Sequence, residues 1–410
     1  MRLAESAHPT AIEFSVVRGS FAVSTSGDTR PAILPAQFSV VAESAASGIN
    51  VDLPGGAARL RSLRLTPVDS TSRFELTVTR GSATLTRRYD GALEIRPSGE
   101  ADGALLLVNH VPLESYVAAV VTSEYGLDDI EGTRAMAILA RTYAIRTLGE
   151  PGTDYDHVDH ELSQVYRGVD GLSDRAVAAA QATRGQVVLF RGELAEAVYH
   201  AESGGHTAAN DAVWAGTAVG YLRGVADPYA NNSPYARWEY RGGRTRVLNA
   251  LSNAVGQRAS GFVIDDRSAD GRVSLVRILT DGGTVVISGN EFRLAVIRGL
   301  GASSLKSTLF EVSLRGDAYV FTGSGFGHGV GLSQWGAHEM ARRGYSSDEI
   351  IAFYLRGTEV AKLDLTHLDP GGLEPLPAIG GWADAADSAE TGPPFEVRAA
   401  GRPSHGRIGW

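Results

Sequence analysis

Glu124 is the first candidate for chemistry in this chain, because it ends a run of small and apolar residues in AAVVTSEYGLDD, positions 118 to 129. Five apolar residues upstream have the i, i+3, i+4, i+7 and i+8 spacing of one helical face: Leu113, Tyr116, Val117, Val120 and Val121. At about 100° per residue, position 124 returns to within about 20° of the face of Leu113. Glu124 is therefore predicted to extend the apolar face in the last helical turn.

A carboxyl at that place is suited to acid catalysis. The negative end of the helix dipole and partial desolvation both favour the protonated form. A protonated carboxyl can donate its proton to a leaving oxygen, as in enzymes that cleave glycosides. The alternative places Glu124 in solvent, or in an ion pair with Arg134 or Arg141 of the next helix. Position alone leaves both interpretations open.

Two glycine-rich stretches hold the next candidates. VYHAESGGHTAAN places polar side chains around a Gly-Gly pair: Tyr199, His200, Ser203, Gly204, Gly205 and His206. GSGFGHGVGLSQWGA surrounds His328 with glycines at 323, 325, 327, 329 and 331. Such glycines either bring backbone amides close to a ligand or make tight turns with positive φ. Neither stretch has the spacing of a phosphate loop or a dinucleotide site.

A metal site and a serine triad are alternatives. His157 and His160 in DHVDHE, with an acid, could hold zinc or iron, but no third fixed ligand is evident. Ser203, with His200 or His206 and Asp211, could form a triad, but the chain lacks the G-x-S-x-G nucleophile elbow. The absence of cysteine excludes disulfides, thiolate metal sites and a cysteine nucleophile.

The composition narrows the function classes. The net charge of -9 over 410 residues argues against a general nucleic-acid binder. No stretch approaches twenty consecutive apolar residues, so no transmembrane segment is expected. The first residues, MRLAESAHPT, show no apolar core of a secretory signal.

The predicted secondary structure that positions these residues changes from strands to helices, and then to a mixture of both, along the chain. Alternating apolar residues between Gly, Pro and Asp turns predict an antiparallel sheet or small barrel from about residue 11 to 108. Helices are predicted from Pro112 to Glu124, over 131–148, from Ser173, near residue 290, after the second glycine stretch, and from the capping box Ser346-x-x-Glu349. The polar stretch 149–168 is predicted to be a solvent loop. The fold class is α+β, with mixed antiparallel sheets and helices.

Six segments in order resemble the SpoIID/LytB family of sporulation stage II protein D and amidase enhancers. They are VPLESYVAAVVTSE, RAMAILARTYAIR, SQVYRG, AVYHAESGGHT, YLRGVADPY and GFGHGVGLSQWGAHEMARRGYSSDEIIAFYL. The resemblance predicts a core over 105–362 with a strand-rich insertion at about 238–323. A strand-rich region over 1–104 precedes this core, and a mobile tail over 363–410 follows it.

The resemblance implies a lytic transglycosylase that acts on peptidoglycan glycan strands at the cell envelope or outside the cell. Glu124 matches the family's catalytic acid at the end of its V-x-S-E helix. The residues that the resemblance places around the sugar are Ser123, Gln164, Tyr166, Tyr199, His200, Ser203, Gly204, Gly205, His206, His328, Gly329, Ser333 and Gln334. Tyr199 and Trp335 could also stack on sugar rings, and a core position at the start of a helix is the alternative for Trp335.

The resemblance leaves the cofactor and the mode of action open. Some members bind zinc through Cys and His just before QVY, whereas this chain has HVDHELSQVY, with Ser163 where Cys often stands. No cofactor is therefore expected, and zinc is the alternative. Three functions remain: a glycan-cleaving enzyme, a non-catalytic wall-binding enhancer of a cell-wall amidase, and a metal-dependent hydrolase built on His157 and His160.

Overall fold

A computed structural model describes residues 1–4, 7–25, 32–45, 48–53, 56–80, 83–99, 103–149, 154–160 and 163–365. The fold is α+β, as predicted from the sequence. The described chain forms two compact units. The first unit contains Met1–Gly126, Ala144–Gln186 and residues 362–365, and the second contains Leu127–Tyr143 and Val187–Ala361. The sequence-based domain ranges stay a prediction, and residues 366–410 of the predicted tail lie outside the described residues.

The first unit begins with two antiparallel sheets. Their strands are β1 Ala11–Arg18, β2 Ser20–Thr25, β3 Ala32–Pro35, β4 Ser39–Ala45, β5 Gly48–Leu53, β6 Gly56–Leu60, β7 Leu63–Pro67, β8 Arg73–Arg80, β9 Ala83–Asp90, β10 Ala92–Pro97 and β11 Leu105–His110. One sheet has the order β6-β5-β4-β1-β8-β9 and the other the order β11-β10-β7-β2-β3. The antiparallel sheets predicted for this region are therefore present.

Alternation along the strands explains how these sheets bury their apolar side chains. In β1, the buried positions Ile12, Phe14 and Val16 alternate with more exposed ones. Phe14 stands opposite Val40 of β4 and Leu76 of β8, so an apolar row crosses these three strands.

A chain of aromatic rings links these sheets to later parts of the same unit. The ring centroid of Phe74 lies 4.9 Å from that of Phe14 and 5.5 Å from that of Tyr89. Tyr89 lies 6.0 Å from Tyr166, and Tyr166 lies 5.5 Å from Tyr116. The strand-rich region therefore packs directly against the segments that carry the predicted site.

Helix α1, Leu113–Glu124, follows β11 after the N-cap Pro112. The helix begins and ends where the sequence predicts, but it is not a simple amphipathic helix. Six consecutive residues, from Tyr116 to Val121, are buried, because other elements pack around its middle. Helix α3, Asp174–Ala182, packs against α1 and has Ser173 as its N-cap, as predicted. Helix α2 spans Ile130–Arg146, and its residues are divided between the two units.

The second unit alternates short strands and helices. Its strands are β12 Gln186–Phe190, β13 Glu193–Leu194, β14 Tyr199–His200, β15 Trp238–Gly243, β16 Ala259–Arg267, β17 Val273–Thr280, β18 Gly283–Ser288, β19 Phe310–Arg315, β20 Ala318–Gly323, β21 Leu332–Ser333 and β22 Glu359–Lys362. Its further helices are α4 Asn210–Val213, α5 Arg244–Val255, α6 Gly289–Leu300, α7 Gln334–Arg342 and α8 Ser347–Tyr354. The core of the insertion is formed by α5 and α6 with strands that include Val276, Ile278 and Phe321.

Helices α6, α7 and α8 of the second unit were predicted from the sequence, but α4 and α5 were not. Ser346 and Glu349 form the predicted capping box at the start of α8, and α6 lies at the predicted position. Helix α5 lies in a segment predicted to consist mainly of strands. The solvent loop predicted over 149–168 is also wrong in part, because His157, Asp159, Gln164 and Tyr166 are buried. The polar side-chain atoms of these four residues form hydrogen bonds with other groups of the same unit, which allows their burial.

Candidate functional site

Glu124 is the last residue of α1, and its side chain is half-buried. Its Oε1 accepts a hydrogen bond of 2.9 Å from the backbone amide of Val165. The backbone amide of Tyr125 bonds back to the carbonyl of Val121, which ends the helix. The carboxyl is thus held by a backbone donor from the SQVY segment, residues 163–166.

Thr122 and Ser123 precede this acid and are half-buried. The Thr122 hydroxyl donates to the carbonyl of Ala118 over 2.8 Å and accepts a bond of 3.2 Å from the amide of Ser173. The start of α3 is therefore tied to the last turn of α1. This contact fixes the end of the helix on which Glu124 stands.

Hydrogen bonds from two tyrosine hydroxyl groups hold the SQVY segment in place. Tyr116 of α1 donates its hydroxyl to Oε1 of Gln164 over 2.9 Å, and Tyr166 donates to Oδ1 of Asn109 over 3.0 Å. Gln164 and Tyr166 are fully buried. These two residues, which the resemblance places around the sugar, flank Val165, whose amide bonds to Glu124.

His157 lies in the same buried region, with its ring stacked on Tyr116 at 5.8 Å. Its Nε2 is 3.1 Å from the carbonyl of Ala144 and 3.2 Å from the hydroxyl of Thr147. Asp159 accepts a bond from the amide of Ala4. Glu161 lies outside the described residues, and among those described no three His, Asp or Glu side chains group as metal ligands. These contacts do not fit a zinc site, and the prediction that no cofactor is bound stays a prediction.

The two glycine stretches meet inside the second unit. Strand β14 pairs in parallel with β21, which places Tyr199 opposite Leu332 and His200 opposite Ser333. The amide of Phe326 also bonds to the carbonyl of Glu202 over 2.8 Å, and Glu202 returns a bond of 3.0 Å. Two stretches separated by more than a hundred residues are thus joined by backbone pairing.

The loop at residues 203–206 is organised by its own polar groups. The Ser203 hydroxyl accepts from the amide of Gly205 over 3.1 Å and donates to Oδ2 of Asp227 over 2.8 Å. Gly204 and Gly205 have φ of 75° and 98°, which a residue with a Cβ rarely adopts. Burial raises the pKa of Asp227, while the bond from Ser203 opposes that shift.

His328 is buried with both ring nitrogens bonded to the backbone. Nδ1 accepts from the amide of Val330 over 3.1 Å, so Nε2 carries the hydrogen and donates to the carbonyl of Tyr199 over 2.9 Å. Burial lowers the pKa of His328 to about 3, and the charge of Arg293 adds to this. A neutral His328 thus joins β14 to the second glycine stretch.

His200 is the neighbour of His328, with ring centroids 5.6 Å apart. Its Nδ1 lies 3.0 Å from the carbonyl of Val330, whereas Nε2 has no hydrogen-bond partner among the described residues. Burial lowers the pKa of His200 well below its usual range. Buried polar atoms without a protein partner normally bind water or a ligand.

Ser333 and Gln334 mark the start of α7. Ser333 caps this helix by accepting from the amide of Gly336 over 3.3 Å. Both side chains are buried, whereas Gly204, Gly205 and His206 are partly exposed. Trp335, the predicted sugar-stacking residue, is half-buried, and its ring lies 5.8 Å from His338.

Glu202 and Arg272 are buried charged groups that sequence analysis did not assign to the site. Oε1 of Glu202 accepts from the amide of Gly204 over 2.9 Å, while Oε2 has no partner among the described residues. Burial raises the pKa of Glu202 to about 7. The signal in the sequence was weak, since Glu202 stands directly before Ser-Gly-Gly but Arg272 lies in the strand-rich insertion.

The structure therefore places the predicted residues in two groups. Ser123, Glu124, Gln164 and Tyr166 lie together in the first unit. The second unit brings together Tyr199, His200, Ser203, Gly204, Gly205, His206, His328, Gly329, Ser333 and Gln334. A cavity of about 340 Å³ in the first unit is lined by Leu113, Glu114 and Arg184. It is at the opposite end of α1 from Glu124, roughly 16 Å along the helix axis.

Known proteins are similar to large parts of this chain. The family model "Stage II sporulation protein" matches residues 101–190, and a model described as a domain of unknown function matches residues 229–331. The stage II sporulation protein D of Bacillus subtilis is 31% identical over 277 residues, covering 63% of this chain and 76% of that protein. The protein of the same name from Bacillus amyloliquefaciens is 30% identical over 278 residues, with the same coverage.

A more distant relative carries another name. The amidase enhancer of Bacillus subtilis is 27% identical over 280 residues, covering 56% of this chain and 38% of that protein. None of the helices in the described part of the chain is long and apolar enough to cross a membrane. The family match and the coverage of the sporulation proteins establish that this chain belongs to the SpoIID/LytB family.

Proposed function

We propose that this protein is a peptidoglycan lytic transglycosylase that cleaves the bond between N-acetylmuramic acid and N-acetylglucosamine. The observation that carries the proposal is the placement of Glu124. It ends α1, remains partly exposed, and has its carboxyl oriented by the amide of Val165 at 2.9 Å. A carboxyl held in one orientation at a helix end can exchange a proton with a bound sugar without first reorganising.

The reaction needs one carboxyl in two successive roles. Glu124 first donates its proton to the glycosidic oxygen, and the bond from that oxygen to C1 of the muramyl residue breaks. The muramyl 6-hydroxyl then adds to C1, and the Glu124 carboxylate takes up the hydroxyl proton. The products are a 1,6-anhydro-muramyl end and a free 4-hydroxyl on N-acetylglucosamine. No water enters, so the second carboxylate of an ordinary glycosidase is not required.

The proposal also takes the glycine loops of the second unit to bind glycan. Gly204, Gly205 and His206 are partly exposed, and they combine backbone edges with an imidazole. Such groups suit the hydroxyls and acetamido groups of a glycan strand. Kinship with sporulation proteins supports a place at the cell envelope.

The name of the amidase enhancer relative favours a second candidate function. In this alternative, the protein binds the cell wall without cutting glycan and stimulates a separate amidase. The two functions predict different products, since an amidase releases stem peptides and a transglycosylase releases anhydro-muramyl ends.

The test is digestion of purified peptidoglycan, intact and stripped of stem peptides, followed by mass analysis of the products. Glu124→Gln keeps the shape of the side chain but removes the proton, and should lower formation of anhydro-muramyl ends by roughly a hundredfold or more. Glu114→Gln changes the same charge in the first turn of α1 and serves as the matched control.

Two outcomes of this experiment would contradict the proposal. Release of stem peptides only when an amidase is added, with no anhydro-muramyl ends, would favour the enhancer function. Activity that a chelator removes but Glu124→Gln preserves would favour a metal-dependent hydrolase.

A further inference from the structure

Arg272 is a buried cation directly before β17, and its guanidinium contacts several backbone segments. Nε donates to Oδ2 of Asp270 over 3.0 Å, in a pair with both side chains almost completely buried. Nη2 donates to the carbonyls of Ser203 and His206, the second at 3.1 Å. One side chain from the insertion thus binds both ends of the 203–206 loop.

The same guanidinium lies against the second glycine stretch. A Cβ placed on Gly329 would be 2.6 Å from Cζ of Arg272, so only glycine leaves room for the guanidinium at this position. The carbonyl of Gly329 also accepts a bond of 2.7 Å from the amide of Ala208. The absent side chain of Gly329 therefore allows Arg272 to bridge the two stretches.

The position of His206 depends on these contacts of Arg272. Its carbonyl accepts from Arg272, and its Nδ1 lies 2.7 Å from the carbonyl of Thr207. The ring is partly exposed, and its described bonds use Nδ1 only. The Nε2 edge is thus the part of the ring that is available to a ligand.

Glu202 supports the same loop by accepting a hydrogen bond from the amide of Gly204. Nη1 of Arg272 and Oε2 of Glu202 are both buried without a hydrogen-bond partner among the described residues. Buried charged groups are costly unless they bind other groups, so their retention beside one short loop indicates a role in fixing it.

We propose that Arg272 is a positioning residue for glycan binding: its guanidinium joins the two glycine stretches and sets the orientation in which His206 meets the sugar chain. This inference rests on the proposed function for the identity of the ligand. Lysine cannot replace arginine here, because a single ammonium does not reproduce the planar set of donors that reaches Asp270, Ser203 and His206 together.

The test measures the affinity of the full-length protein for glycan strands stripped of stem peptides, in a Glu124→Gln background that cannot turn over. Arg272→Lys should weaken binding by about tenfold, the loss expected for a charge-assisted hydrogen bond. His206→Ala should weaken it to a similar extent. Arg277→Lys, a change on the exposed face of β17, is the matched control and should bind like the parent.

Two further measurements separate positioning from loss of fold. In glycan titrations, Arg272→Lys should raise Kd and leave the number of sites per molecule unchanged, whereas partial unfolding would lower the number of sites and leave Kd unchanged. In nitrogen-15 spectra, the His206 ring signals should move in Arg272→Lys and stay in place in Arg277→Lys.

The inference is overturned if Arg272→Lys binds as tightly as Arg277→Lys, or if it lowers only the number of binding-competent molecules. Full affinity in His206→Ala would also overturn it, because the loop would then not be the contact. A parent protein that binds glycan but forms no anhydro-muramyl ends would end the proposed function and leave this inference standing.

Discussion

The amide of Val165 donates a hydrogen bond to the carboxyl of Glu124, although the two residues are 41 positions apart in the chain. The acid at the end of α1 is therefore oriented by a segment that belongs to a different part of the sequence. Tyr116, two helical turns before Glu124, holds that segment through Gln164. The helix thus carries both the acid and the support for the donor that orients it.

Tyr116→Phe tests this arrangement by removing a single hydroxyl. Gln164 would lose a buried donor, which should cost about 1–2 kcal/mol of unfolding free energy. The Val165 amide would also lose its fixed place beside Glu124, and cleavage should fall by roughly tenfold or more. Rates of anhydro-muramyl formation and denaturant unfolding check the two effects.

Thr183→Val is the control for Tyr116→Phe, since it removes another buried hydroxyl bond of the same unit, to the carbonyl of Ala179. It should lose comparable stability and retain cleavage. If both variants lose activity in proportion to stability, the Tyr116–Gln164 bond has no specific role.

Local patterns in the sequence were sufficient to predict several elements of both units. The spacing from Leu113 to Val121 predicted α1, and Glu124 is its last residue. Alternation predicted antiparallel strands, and Ser346 with Glu349 predicted the cap of α8. These features depend on residues close together in the chain, which is where propensity and periodicity carry information.

Long-range contacts could not be predicted in this way. The bond from Arg272 to Ser203 joins residues 69 positions apart, and His328 reaches Tyr199 across 129 positions. A sequence shows that Arg272 is charged, but not that it is buried beneath a glycine loop. Nor does it show that a guanidinium occupies the space where a side chain at position 329 would stand.

Gly329→Ala should be much more damaging than Gly205→Ala. Both glycines have positive φ, 86° and 98°, so either alanine should cost about 1–2 kcal/mol of backbone strain. Only at Gly329 does the new Cβ meet an atom, Cζ of Arg272 at 2.6 Å, whereas the space around Gly205 is open. Overpacking should add about 1–3 kcal/mol to the loss at Gly329.

The measurement is denaturant unfolding of both variants and of the double variant Gly329→Ala with Arg272→Met. Because methionine is flexible and lacks the guanidinium, the double variant should lose less than the sum of its single losses. Additive losses would show that Gly329 and Arg272 do not contact each other.

Glu202 should make the protein less stable as pH rises through the weakly acidic range. Its pKa is about 7 in the folded protein because of burial, against 4.5 for an ordinary glutamate. Between these values the folded state holds a proton that the unfolded state has lost. The stability this proton provides is complete below about pH 4.5 and is lost as pH approaches and passes 7, by about 3 kcal/mol in total.

Thermal melting of Glu202→Gln across this pH range checks the effect. The variant keeps an oxygen for the Gly204 amide and should lack the fall in melting temperature that the parent shows. Glu349→Gln should act in the opposite sense, because the Ser346 cap lowers the pKa of Glu349 and its contribution is lost as pH falls. Parallel pH profiles for the parent and Glu202→Gln would contradict the prediction.

His328 should remain neutral, with its hydrogen on Nε2, from neutral pH down to about pH 5. Nδ1 accepts from Val330 and Nε2 donates to Tyr199, so adding a proton would remove the first bond and place a charge near Arg293. Ring nitrogen-15 shifts, assigned by their loss in His328→Asn, report the tautomer directly. A ring that titrates near neutral pH, or carries its hydrogen on Nδ1, would mean that His328 is not a fixed link between β14 and the glycine stretch and is instead available to bind a ligand.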